Sequence, residues 1–197
     1  GFVEQDGLRV DPTRLGQLAS KFYLRLETAR RFADLAERCE AGGVEVDDLL
    51  RTVAGATEFD SVSARSDEQD AVDAVLGSDD AEELDAGQRK VLAILRSGMT
   101  GTTPTELKSD AWVIRQNALR LLAALRAFLD DLAPGRFANL ACRVEARVEH
   151  GVSADAVGLT AIEGVGSGRA STLAAAGFAT PADVLQDGAD GLVSAGL

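Results

Sequence analysis

Residues 109–133 read SDAWVIRQNALRLLAALRAFLDDLA. At about 100° per residue, Ile114, Ala118, Leu121, Leu125, Phe128 and Leu132 share one helical face. That face predicts a long helix seated in a core. Opposite it fall Trp112, Arg115, Gln116, Leu119, Ala123 and Arg126. The only tryptophan therefore sits off the apolar stripe, among arginines. Such an exposed ring suits stacking on unpaired bases, worth about 1–3 kcal/mol per base. The alternative is packing of Trp112 on a neighbouring helix with Leu119 and Leu122.

Outward from this helix the punctuation predicts more helices. Thr103-Pro104-Thr105-Glu106 has the cap, proline and back-bonding glutamate of a helix start, and Pro134-Gly135 ends the region. A helix from about Arg136 to His150 stops at Gly151. On the N-terminal side one helix runs from near Thr28 to Ala41, stopped by Gly42-Gly43, and another follows Asp47. Ser66-Asp67-Glu68-Gln69 has capping-box spacing and opens a third, closed by Gly77. Gly77 to Asp85 reads as a solvated acidic linker, after which Asp85 caps a helix reaching Ser97. The one β signal is Phe2-Val3-Glu4 and Leu8-Arg9-Val10 around Gln5-Asp6-Gly7, a hairpin pattern.

Residues 159–177 carry a second motif, with Leu159, Ile162, Gly164-Val165-Gly166, Ala170 and Leu173 as its skeleton. The spacing resembles a helix-hairpin-helix. Gly164 and Gly166 permit a tight turn, Val165 plugs it into a core, and the amides of Gly164 to Arg169, with Ser167 and Gly168 at the helix start, offer an anion site for a phosphate. Phosphate contact carries no sequence information, so binding there is expected to be sequence-independent. The alternative is a unit used only for packing or protein docking. Thr180-Pro181-Ala182-Asp183 caps a further helix, and Asp190-Gly191-Leu192-Val193 reads as the start of a second, truncated hairpin.

Composition narrows the class. The chain has 197 residues, 46% of them hydrophobic, with 32 acids against 20 bases and a net charge of −12. Only Lys21, Lys90 and Lys108 are lysines. An acidic, lysine-poor chain suits the cytoplasm of a salt-loving archaeon, where carboxylates keep the surface hydrated, though a mesophilic acidic protein has the same arithmetic. Residues 101–150 hold seven bases and six acids and form the only segment that is not acidic. No apolar run approaches a membrane span and no leader pattern is seen. Two cysteines are too few for a disulfide scaffold, so a reducing cytoplasm is expected. Cys39 and Cys142, not at metal spacing, are expected to be core or near-core thiols, and no metal site or catalytic residue is expected. His150, beside Gly151, reads as answering a helix dipole. The chain starts at Gly1-Phe2-Val3, has its only methionine at Met99 and ends without a polar tail, which suggests a piece of something longer.

Four motifs then resemble one family in the right order. Thr13 to Leu24, continued by Leu26-Glu27-Thr28, is similar to the segment after the winged helix of Ski-like superfamily 2 helicases. Ala56 to Glu68, with Glu58-Phe59, Arg65 and Glu68, is similar to that family's Glu-Phe…Arg…Glu segment. Asp110 to Arg120 resembles the start of its ratchet helix, and the terminal helix-hairpin-helix matches too. The resemblance implies an all-α fold: residues 1–24 as the end of a winged helix and connector, 25–151 as a ratchet-type bundle, and 152–197 as a helix-hairpin-helix domain. It implies that Trp112, Arg115, Gln116, Arg126 and the Gly164–Arg169 turn grip single-stranded DNA or RNA. ATP and magnesium belong to the parent's RecA-like motor domains, whose phosphate-loop and Asp-Glu motifs are missing from these residues, so the piece itself is expected to hydrolyse no ATP and to hold no cofactor. One departure stands out: two turns before Trp112 lie Pro104 and Thr105, where archaeal DNA-unwinding members carry an arginine.

Overall fold

A computed structural model describes residues 1–77 and 84–194, with side chains through residue 187. The acidic pairs Asp79-Asp80 and Glu82-Glu83 of the expected linker lie outside the described residues. Among the described residues the chain is all-α apart from one hairpin, β1 (Val3–Asp6) and β2 (Arg9–Pro12), paired antiparallel with Asp6 opposite Arg9. Its turn is Gly7-Leu8, one residue later than the Asp-Gly pattern suggests. Gly7 has φ +60° while Leu8 has no positive φ, which is the II′ geometry that matches strand twist. The hairpin is seated on α1 (Arg14–Lys21): the Thr13 amide donates to the Phe2 carbonyl (3.0 Å), and a Cβ on Gly16 would stand 2.0 Å from that oxygen.

The bundle follows as α2 (Leu26–Ala41), α3 (Val46–Ala54), α4 (Ser66–Leu76), α5 (Ala86–Gly98), α6 (Lys108–Leu132) and α7 (Gly135–His150). Helix ends obey local chemistry. Gly42 and Gly77 take positive φ after α2 and α4, and Gly151 ends α7 in the left-handed region. Asp85 accepts from the Gln88 amide (2.9 Å) at the start of α5. Two starts differ from expectation. Glu68, not Gln69, reaches back, accepting from the Arg65 amide at 2.8 Å, so α4 begins one residue early. Thr103-Pro104-Thr105-Glu106 opens a 3-10 turn, Thr105–Leu107, rather than the long helix itself. The tighter i→i+3 bond from Leu107 to Pro104 (3.1 Å) drives Leu107 fully into the core before α6 starts.

The long helix is central. Ile114, Ala118, Leu121, Leu125 and Phe128 are buried as the wheel predicts, and Leu132 is half-buried. Leu122, Ala124 and Leu129 are buried too, because α2, α3, α5 and α7 pack on several sides of it. Phe32 of α2 meets Phe128 edge-to-face, centroids 5.6 Å apart. After α7, a 3-10 turn (Val157–Ala161), α8 (Ser167–Ala175) and α9 (Pro181–Ser194) close over a second apolar cluster of Val152, Ala156, Leu159, Ala170 and Leu173. Asp183 caps α9 by accepting from the Ala179 and Thr180 amides, which holds its carboxyl below the ordinary range. The second hairpin expected at Asp190 does not form: α9 runs through it to Ser194. Cys39 is buried as expected, but Cys142 is exposed, because its position on α7 faces away from the stripe of Phe137, Ala141, Val144 and Val148. Among the described residues no helix is long and apolar enough to cross a membrane.

Candidate nucleic-acid interface

The first turn of α6 is anchored by charge. Lys90, 1% exposed on α5, donates to Glu68 (2.8 and 2.9 Å), to the Ser63 carbonyl (3.3 Å) and to Asp110. Arg65 closes the group, 2.7 Å from Glu68. Burial pushes the Glu68 carboxyl up, and the Lys90 ammonium and Arg65 amide outweigh it, leaving it below the ordinary range. Asp110 is lowered chiefly by its hydrogen bond from Lys90. These residues tie α4, α5 and α6 together two positions before Trp112. The Glu-Phe…Arg…Glu residues are thus structural: Glu58 accepts from the Arg25 amide (3.0 Å) and the Thr28 hydroxyl, and Phe59 is buried.

From this anchor Trp112 projects 65% exposed, beside the exposed Val113. The packing alternative is not what the chain adopts: Leu122 lies in the core while the indole stays outside it. Gln116 is exposed and Arg115 half-buried on the same face. The Arg115 Nε is enclosed and has no hydrogen-bond partner among the described residues. Arg126 is different. Its guanidinium lies 3.4 Å from Glu145 and 3.6 Å from the Cys142 sulfur, so it is tied to α7. Burial pushes the Glu145 carboxyl up despite that neighbour. Trp112, Arg115 and Gln116 therefore form one group, and Arg126 stands about 21 Å further along the helix.

The glycine turn is held by the second apolar cluster. Gly164 has φ +80°, and the Arg169 guanidinium donates back to its carbonyl at 2.9 Å. Val165 is half-buried and packs on the cluster, as a plug should. Gly166 needs no special backbone, with φ −79° at the start of α8, and an added Cβ would meet nothing of the chain within 4 Å, so the turn itself does not require glycine there. The same is true of Gly168. No side chain among the described residues caps α8, so the first-turn amides of Ser167, Gly168 and Arg169 are left without a side-chain cap. Arg169 is spent on its own turn, which the sequence did not reveal.

Among the described residues no cluster of three His, Cys, Asp or Glu could hold a metal. His150 is exposed at the end of α7, 4.0 Å from Glu149. The anchor at Lys90 was missed by the sequence reading. Its signal was a lysine, in a chain with only three, sharing the buried face of α5 with Gly87, Val91 and Ile94.

Residues 12–175 match the family model of the Sec63 Brl domain. The chain is 28% identical over 195 residues to the "ATP-dependent DNA helicase Hel308" of Pyrobaculum calidifontis, covering 93% of this chain and 27% of that protein. It is 26% identical over 145 residues to the "RQC trigger complex helicase SLH1" of Saccharomyces cerevisiae, covering 68% of this chain and 7% of that protein. The chain thus spans about a quarter or less of the length of the curated relatives it matches.

Proposed function

The chain belongs to the Sec63 Brl domain family, and from that premise we propose that it is the strand-gripping C-terminal region of an ATP-dependent superfamily 2 helicase of the Ski-like group. The observation that carries this reading is Trp112, held 65% exposed on a rigid central helix by a buried ion network just before it. Base stacking on the indole, with Arg115 and Gln116 alongside, grips the strand while motor domains with ATP and magnesium supply the movement. Residues 1–24 are the end of a winged helix, 25–151 the ratchet bundle, and 152–197 a helix-hairpin-helix whose Ser167 to Arg169 amides dock a phosphate without reading sequence. DNA is the favoured strand, because the relative matched along 93% of the chain is named a DNA helicase. The net charge of −12 with only three lysines supports a cytoplasmic protein of a salt-loving archaeon.

The test is unwinding of matched DNA and RNA duplexes by the intact protein. Trp112→Ala is expected to slow DNA unwinding while ATP hydrolysis continues. Val165→Asp is expected to loosen the terminal unit and reduce unwinding less. Faster unwinding of RNA would move the reading to RNA, and no unwinding of either would leave an adaptor without a motor.

A further inference from the structure

Tyr23, the chain's only tyrosine, has a left-handed backbone with φ +51°. It follows the last turn of α1, where the Leu24 amide donates to Ala19 (2.9 Å) and the Tyr23 amide to Ser20 (3.1 Å). Glycine is the usual residue at this helix-ending position, because a Cβ at positive φ crowds the backbone. A bulky aromatic there is an outlier, and such outliers gather at ligand sites. No packing offsets the strain, for Tyr23 is 90% exposed.

Its position completes the observation. The Arg120 guanidinium donates to the Phe22 carbonyl at 2.9 Å, fixing this turn against α6. Residue 120 is about 12 Å along the helix from Trp112, a distance a strand covers in a few nucleotides. Beyond the turn, Lys21 of α1 and the following Phe22, Ala123, Ala127 and Arg126 of α6 and Asn139 of α7 line a groove of about 460 Å³. The alanines keep it open along the same face of α6 that carries Trp112. Asp130 also lines it, and Arg126 is engaged by Glu145. Lys21 rests 5.3 Å over the Phe22 ring and has no carboxylate partner among the described residues, so it is the cation the groove offers an anion.

We propose that Tyr23 is a second base-stacking station, and that the groove beside it takes the strand's sugar-phosphate backbone on Lys21. This rests on the strand-gripping reading above and extends it: the strand runs along α6 from Trp112 over Arg120 to the α1–α7 groove. The occupant is a single-stranded nucleic acid, because an exposed aromatic ring next in sequence to a groove that carries a cation fits a base and its phosphate.

The test is fluorescence anisotropy of a labelled single-stranded oligonucleotide with the intact protein and four variants. Tyr23→Gly removes the ring and relaxes the backbone, so its unfolding temperature should hold or rise while affinity falls about five- to 150-fold. Tyr23→Phe should bind like the unmodified protein. Lys21→Gln should lower the salt slope by about one counterion. If Tyr23→Gly binds as tightly as the unmodified protein while Trp112→Ala binds more weakly, the second station is wrong and the first reading stands. If the unmodified protein binds no single strand, both fall.

Discussion

Lys90 is a cation 1% exposed against a carboxylate, Glu68, that is 0% exposed. Removing one partner of a buried pair leaves the other charge uncompensated, so Lys90→Met is expected to cost about 3–5 kcal/mol in denaturant unfolding. Lys90→Met with Glu68→Leu should recover part of that loss, because neither buried charge is then left alone, while Asp110 and the Arg65 amide still lose a partner. The sign with pH follows from the lowered carboxyls of Glu68 and Asp110. Folded, they release protons more readily than in the unfolded chain. Their stabilisation is therefore whole above about pH 5 and is lost as pH falls through their folded values. Unfolding midpoints measured from pH 7 to pH 3 should show this decline in the unmodified protein and a smaller one in the double variant. The exposure of Trp112 was legible, since a wheel places a residue on a face. The anchor beneath it was not, since it joins residues 22 and 20 positions apart whose meeting depends on packing. Tyr23 was hidden for a related reason: nothing in the sequence marks an aromatic that takes a glycine's backbone.

At the scale of elements, close approach sets tight limits. A Cβ on Gly87, in the first turn of α5, would stand 2.0 Å from the Val62 carbonyl. Gly87→Ala must therefore push α5 from the segment before α4, with an expected loss of about 1–3 kcal/mol in thermal or denaturant unfolding. Since Lys90 lies one turn on, the same substitution should also disturb the anchor at Asp110. Helix existence and order were readable from periodicity and caps, and most ends came within two residues. The exceptions have local causes. The proline signal at Pro104 opened a 3-10 turn, whose i→i+3 bond carries Leu107 into the core before α6 starts. The Asp190-Gly191 pair lies inside α9 rather than in a turn, since a glycine weakens a helix without having to end it.

For the whole molecule, charge and salt set the terms. With a net charge of −12, long-range steering of a polyanion is unfavourable. At molar salt the screening length shrinks to about 3 Å, so only contact chemistry survives. Stacking, short charge-assisted bonds and amide docking are such contacts. The 197 residues alone, which carry no Gly-x-x-x-x-Gly-Lys phosphate loop and whose Asp67-Glu68-Gln69-Asp70 lies in the first turns of α4 with Glu68 paired to Lys90, are expected to show no stimulated ATP hydrolysis in a phosphate-release assay. The central claim is that the Trp112 face of α6 holds a single strand through contact rather than through charge. The most direct measurement is oligonucleotide anisotropy with the intact protein and its Trp112→Ala variant, at low salt and at molar salt. Expected are binding that persists at molar salt and a variant weaker by about 1–3 kcal/mol under both conditions. Binding that vanishes at molar salt, or a variant indistinguishable from the unmodified protein, would contradict it.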